Sequence, residues 1–277
     1  MLIFTGNHGR KAIEDLYGRD EAAPARNGTQ DYREMAVTQT LSYAGRPQVV
    51  QAVRAGTLMK LASESGGIIE VAVAIGDSVL DMVPLFRVFG AREKLNEEAL
   101  RQTIEIGEER TFEQDPKYAI RLIVDMAIKA LSPAINDPTT AVQALDQIED
   151  LLLRLGQCRL EVCDCYDSRG ALRVVIPFPT WEDFLRLALD EIRYCGASSV
   201  QVSRRMMALI KSLVAVLPAE RHAALRHWER RIQSTIERTF VDPEEKEEAL
   251  MADRQGLGVG EKKRREGGRN HHGKLLT

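Results

Sequence analysis

The chain has 277 residues, a formal net charge of −3 at pH 7, 44% hydrophobic and 29% charged residues, and only 5% aromatics. That length buries a real core and accommodates two modules with loose ends, in the composition of an ordinary globular protein. The acidic balance, with a pI near 6.0, and the scarcity of aromatic rings exclude a general nucleic-acid binder or a base-stacking platform.

Residues 1–40 read as weakly ordered. A helical stub over 10–18, RKAIEDLYG, carries a narrow stripe of Ile13, Leu16 and Tyr17, and the small, turn-rich run DEAAPARNGTQD follows it. Residues 41–90 change character. PQVVQAV at 47–53 reads as a strand, and TLMKLASESG at 57–66 as a short helix ended by Gly66-Gly67. IIEVAVAIG at 68–76 alternates and is β-branched, which predicts a strand turning at Gly76-Asp77. A short strand at Val79, a turn between Asp81 and Pro84, and a strand over 85–89 complete a small β module.

From Leu95 the apolar period becomes helical, with segments expected near 95–108, 117–131 and 138–155. Tyr118, Leu122, Met126 and Ala130 form the predicted face of the second. Val142, Leu145, Ile148, Leu152 and Leu155 form that of the third, with Gly156 as its closing residue. Strands over 159–166 and 171–178 are joined by the hairpin turn Asp167-Ser168-Arg169-Gly170. Helices follow near 180–195, 198–217 and 219–240. A charged helix restarts after Asp242-Pro243, and a basic tail, read as disordered, ends the chain with His271-His272 incidental to it. The expected fold is α+β: a small β barrel-sandwich-like module, then a mainly α-helical domain containing one β-hairpin. The divisions fall at 1–40, 41–90, 91–241 and 242–277.

Four cysteines, at 158, 163, 165 and 195, make no disulfide framework for a chain this long. Cys163 and Cys165 share one strand face, but C-x-C with no histidine nearby is not a zinc spacing, so buried structural thiols are expected and no metal. No window approaches the roughly 18 consecutive apolar residues that span a bilayer. The opening MLIF is too short for an anchor or a signal segment, so the chain as written is expected to be cytoplasmic.

The most chemically dense stretch is RTFEQDPKYAIRLIVDMAIKALSPAINDPTTA. Asp115-Pro116 and Asp137-Pro138 are two helix starts of the same design, a capping carboxylate before a proline at the first helical position. Arg121, Asp125 and Lys129 recur at i, i+4 and i+8 beside the apolar face, and Arg110 lies just upstream. Asn136, Asp137, Thr139 and Thr140 crowd the second helix start beside backbone N–H groups that have no helical partner. The set could grip an anion there, with Arg110 or Arg121 supplying charge and the threonines hydroxyls. An ion-pair ladder with two capped helices accounts for the same residues, and Asp137 already places a negative charge at that helix end. A competing reading makes Asp115, Asp125 and Asp137 acid/base groups or metal ligands of an enzyme.

GGIIEVAVAIGDSVLDMVPLFRV resembles the second half of a biotinyl/lipoyl carrier domain, and Leu58-Met59-Lys60 imitates the modified Met-Lys. Lys60 stands too few residues before Gly67 for the carrier turn, and its surroundings read as helix. No Ser/His/Asp set, P-loop or Rossmann fingerprint occurs, and His222 and His227 are five apart rather than four.

The ordered combination of RKAIEDLY, GDSVLDMVPL, RTFEQDP and LIVDMAIKALSPAINDPTTA resembles an uncharacterised bacterial group of predicted membrane proteins, domain of unknown function 2254, over most of residues 10–240. The resemblance implies an N-terminal block of transmembrane helices followed by a soluble region of the kind seen here. The sequence in hand lacks that block, as a shortened gene, a fragment or a misplaced start would. Membrane attachment is thus implied by the family and not by these residues, and no activity or catalytic residue comes with it. The leading expectation is a non-enzymatic ligand-sensing or assembly domain whose contact is the 110–140 stretch. It needs no cofactor, takes no nucleic acid, and has a homo-oligomer as its partner. An enzyme at that corner and a carrier modified on Lys60 stand as the alternatives.

Overall fold

The computed structural model describes residues 1–18, 31–160 and 164–258. They divide into two compact units. One comprises residues 7–119 and 158–180 and holds the strands; the other comprises 1–6, 120–157 and 181 onward and is helical.

In the strand-bearing unit, β1 (Val37–Ser42), β5 (Pro84–Phe89), β3 (Ile68–Val71), β8 (Leu172–Val175) and β7 (Asp164–Tyr166) form a five-stranded sheet in that order. Strands β4 (Ser78–Val79), β2 (Gln48–Val53) and β6 (Ile104–Gly107) form a second sheet of three. All pairings are antiparallel except β3 with β8, where Ile69 faces Val174. Among the described residues neither sheet closes into a barrel. Helix α2 (Ala55–Ser65) ends where Gly66 turns left-handed at φ 71°, as its sequence predicts. The strands supply the core: Val50, Ile69, Val71, Val79 and, at adjacent positions of β5, Leu85 and Phe86 are each essentially inaccessible, joined by Leu58 of α2 and Val174 of β8. Each such side chain contributes about 1.5–3 kcal/mol by leaving water.

The helical unit is built from most of α4 (Pro116–Ala130), α5 (Pro138–Gln157), α6 (Trp181–Cys195), α7 (Val200–Val216), α8 (His222–Thr239) and α9 (Pro243–Leu250). The predicted stripe of α5 is buried throughout: Val142, Leu145, Ile148, Leu152 and Leu155. Helix α7 packs against α5, α8 and α9 and is buried on nearly every side, so even Arg204 and Arg205 lie inside. Arg205 donates from Nε to Asp146 (2.9 Å) and from Nη2 to Glu149 (2.6 Å) of α5, while its Nη1 meets no acceptor among the described residues; Arg204 donates to the carboxylate (2.9 Å) and carbonyl (2.7 Å) of Glu248.

Several expectations are corrected. The helix predicted over 95–108 is a five-residue helix, α3 (Glu97–Arg101), capped by Asn96, followed by strand β6. Ile104 and Ile106 alternate with Glu105 along β2, and this pairing overrides a local helical period. Among the described residues of the first forty, the helix expected as a stub over 10–18 is α1, running Leu2–Tyr17, and β1 begins at Val37. The strand predicted over 68–76 ends at Val71. Helix α4 buries Ala119, Ile120, Ile123, Val124, Ala127 and Ala130, a face rotated from the predicted one, with Tyr118, Leu122 and Met126 only partly covered. The helix is apolar on most sides, so its period does not select one face. Gly156 is a packing glycine inside α5, since a Cβ there would sit 2.4 Å from Leu217 Cδ1. The β7–β8 hairpin extends the sheet of β3 instead of standing within the helical part, because Val174 completes the core of that sheet. Cys158 and Cys165 are half-buried and Cys195 is exposed, so these three are not core thiols; Cys163 lies outside the described residues. The tail from 259, with its histidine pair, lies outside them as well.

Candidate functional site

The eight residues singled out by sequence fall into local groups, two in the strand-bearing unit and six in the helical one. Asp115, at the start of α4, is 2% exposed. Its Oδ2 accepts from Arg110 Nε (3.0 Å) and Nη2 (2.6 Å), and its Oδ1 accepts from the Tyr118 backbone N–H (3.0 Å). The Arg110 guanidinium lies over the Tyr118 ring, 4.9 Å from its centroid. A third element closes the node. Gly76 adopts φ +87°, and a Cβ there would fall 2.5 Å from Asp115 Oδ2 and 2.7 Å from Arg110 Nη2. The Gly76-Asp77 turn, expected from sequence, thus brings bare backbone against the buried Asp115 end of the ion pair. Both carboxylate oxygens of Asp115 are engaged, which makes this pair a structural clasp between the turn and the start of α4.

The second group follows from the chain's passage from α4 to α5. Arg121 pairs with Asp125 one turn on (2.5 Å) and with Glu191 of α6 (2.8 Å). This is the ion-pair ladder anticipated from the spacing, in a half-exposed setting where such pairs contribute about 0–1 kcal/mol. Beyond α4 the Ser132 carbonyl accepts from the N–H groups of Ile135 (3.0 Å) and Asn136 (2.8 Å), and Ala130 O accepts from Asp137 N (2.8 Å). Asn136 closes this turn at φ 49°, a left-handed conformation that asparagine tolerates better than other side chains. Asp137 then caps α5: Oδ1 accepts from Thr140 N (3.0 Å) and Oδ2 from the Thr140 hydroxyl. The hydroxyl, then the backbone N–H groups of Thr140 and Thr139, hold the Asp137 carboxyl below its ordinary value. Thr139 and Asn136 are exposed.

This corner borders an open groove of about 540 Å³ within the helical unit. Its apolar lining comes from Met1, Leu2 and Ile3, from Met126 and Ala130 of α4, and from Ile135; Lys129, Asp137, Thr140 and Gln143 supply the polar rim. Met1, Ile3 and Ile135 are 87%, 70% and 51% exposed. Sequence reasoning found Asp137 and Thr140 but missed Ile135, Gln143 and the N-terminal contribution. MLIF was visible as an apolar run, but nothing local ties it to a turn some 130 residues later.

Asp115 engages Arg110, Asp125 engages Arg121, and Asp137 engages Thr140. No cluster of three or more His, Cys, Asp or Glu side chains with metal-binding geometry occurs among the described residues. Lys60 lies inside helix α2, not at the tip of a hairpin, which corrects the carrier alternative: a modifying enzyme needs an exposed turn there, and the helical period of 57–66 removes it. Among the described residues no helix is long and apolar enough to cross a membrane.

Comparison with known proteins places these features in a lineage. The family described as a predicted membrane protein, DUF2254, matches residues 6–212. An uncharacterised protein of Mycobacterium bovis and two of Mycobacterium tuberculosis are each 28% identical over 150 residues, or 54% of this chain and 29% of theirs. The chain therefore matches under a third of the length of these curated relatives. No solved structure matches it.

Proposed function

This chain belongs to the DUF2254 family of predicted membrane proteins, and from that premise we propose that it is a sensing or assembly domain acting through the groove at the α4–α5 corner. The observation that carries this reading is the groove itself. Its apolar floor, its exposed Ile135 and Ile3, and its rim of Lys129, Thr140 and Gln143 have the make-up of a surface built to be covered. The Ile135 N–H donating to Ser132 O, with the left-handed Asn136 and the Asp137 cap directly after it, fixes the backbone around Ile135, so its side chain is presented by a defined turn. In this reading the domain stands outside the hydrocarbon, membrane association of family members resides in other segments, and the partner in the groove is an apolar segment, a second copy being the simplest.

Ile135→Asp tests this, because a half-exposed residue can accept a charge without disturbing the core. Sedimentation velocity over rising protein concentration, with fluorescence of the apolar dye ANS in parallel, reads both assembly and groove occupancy. The wild type is expected to self-associate or to bind ANS saturably, and Ile135→Asp to lose that behaviour at an unchanged melting temperature. A wild type that does neither, or a variant that behaves as the wild type, contradicts the reading.

A further inference from the structure

A second surface, sharing no residue with that groove, has the opposite chemistry. Between α6 and α8 lies an open pocket of about 470 Å³ lined by Arg193, His227, Arg230, Arg231, Ser234 and Arg238. Five of its six residues are on α8 at i, i+3, i+4, i+7 and i+11, which is one helical face; Arg193 of α6 forms the other wall. Four guanidiniums therefore converge, and no carboxylate lines the pocket among the described residues. In a chain of net charge −3 this local excess runs against the composition. Cationic side chains on one helix face repel one another.

Arg193, Arg231 and Arg238 are held in place rather than merely solvated. Asp190 Oδ1 accepts from Arg193 Nη2 (2.8 Å) and Arg231 Nη2 (3.0 Å), one carboxylate bracing two guanidiniums from behind. Arg193 Nη1 donates to Thr235 Oγ1 (2.7 Å), and its buried Nε finds no acceptor among the described residues. Arg231 is further fixed over the Trp228 ring at 4.5 Å, and Arg238 Nε donates to Ser234 O at 3.0 Å. Arg230 and His227 are exposed at the mouth. All the permanent cations are arginine, whose planar fork matches the oxygens of a phosphate group, and the Ser234 hydroxyl adds a neutral donor.

We propose that this pocket binds a phosphate-bearing anion, from either a small soluble phosphate compound or the headgroup of an anionic lipid. The proposal is independent of the groove, and its test is too. Isothermal titration of the full chain with inorganic pyrophosphate addresses the soluble source. Co-sedimentation with phosphatidylglycerol/phosphatidylcholine vesicles, against phosphatidylcholine alone, addresses the lipid source. The charge-removing variant Arg230→Gln/Arg238→Gln touches exposed side chains and is expected to keep or raise the melting temperature in low salt while weakening binding about tenfold or more. Arg226→Gln, exposed on the same helix but outside the pocket, controls for the general field of α8 and is expected to bind as the wild type. Saturable pyrophosphate binding, or binding to the anionic vesicles alone, identifies the source if the double variant loses it. Failure to bind either probe, binding that survives the double variant, or an equal loss in Arg226→Gln overturns the proposal.

Discussion

Replacing Asp115 should loosen the strand-bearing unit more than any other single carboxylate change in it. Asp115→Ala removes two charge-assisted bonds to Arg110 and the cap on Tyr118 N. Breaking a buried pair by deleting one partner costs about 3–5 kcal/mol. Arg110 is 28% exposed while Asp115 is 2% exposed, so water can recover part of the guanidinium's solvation and the lower end applies. Loss of the cap adds about 1 kcal/mol, giving about 4 kcal/mol for alanine. Asp115→Asn retains an acceptor for Tyr118 N and should cost about 2 kcal/mol, chiefly the lost charge assistance. Both tryptophans, Trp181 and Trp228, are in the helical unit, so their fluorescence reports the wrong region. A chain of two units also need not unfold in one step. The suitable assay is hydrogen–deuterium exchange read by mass spectrometry, in peptides covering β2, β3 and residues 72–79. Faster exchange there, ordered alanine then asparagine, is expected. Exchange within about 0.5 kcal/mol of wild type for Asp115→Ala, the scatter of an ordinary surface change, refutes the role assigned to the pair.

Gly76→Ala should loosen the same peptides by about 1–3 kcal/mol through backbone strain at φ +87° and the clash with the Arg110–Asp115 pair, and combined with Asp115→Ala it should be less than additive. Tyr17 presents the reverse case: its hydroxyl is buried with no partner among the described residues, beside a cavity of only about 10 Å³, and burial pushes its ionisation upward, out of the ordinary range. Tyr17→Phe should therefore be neutral or stabilising in a thermal melt, and a loss above about 1 kcal/mol would reveal a hydrogen-bonded water. The lowered pKa of Asp137 means that its folded carboxylate is favoured over its unfolded one; the cap's contribution is complete above the ordinary aspartate range and is lost as pH falls through the depressed folded value. Carboxyl NMR titration should place Asp137 below ordinary aspartates, and Thr140→Val should move it upward. Arg205→Ala should cost about 3–5 kcal/mol by leaving the Glu149 carboxylate, 15% exposed, without its partner. Arg205→Met, which fills more of the space, still abandons that charge and should recover only part of it; tryptophan fluorescence in urea suits both.

What could be read in the chain beforehand was what short spacing determines. Asp-Pro at 115 and 137 marked both helix starts because cap and first turn are adjacent in sequence. Arg121 with Asp125, Gly66 after α2, and the Gly76-Asp77 turn were accessible for the same reason. Strand β1 is not legible locally because VTQTLS alternates weakly and gains its meaning only from pairing with β5 more than forty residues away. Strand β6 carries a local helical period that only its pairing with β2 overrides, and the parallel contact of β8 with β3 joins segments about a hundred residues apart. The face of α4 was misplaced because its apolar residues surround the helix, leaving periodicity without a direction. At the candidate site each local polar pair was visible, whereas the groove needs three segments brought together, and Arg193 joins the α8 arginines only through helix packing.

The central claim, that the α4–α5 corner is a contact surface, is tested most directly by isoleucine δ1-methyl NMR of the full chain as protein concentration rises and as ANS is added. Ile135 and Ile3, at the groove, should shift in a saturable way while the buried Ile148 and Ile192 of the same unit stay fixed. Shifts spread evenly over all four methyls, or none at Ile135, contradict the account.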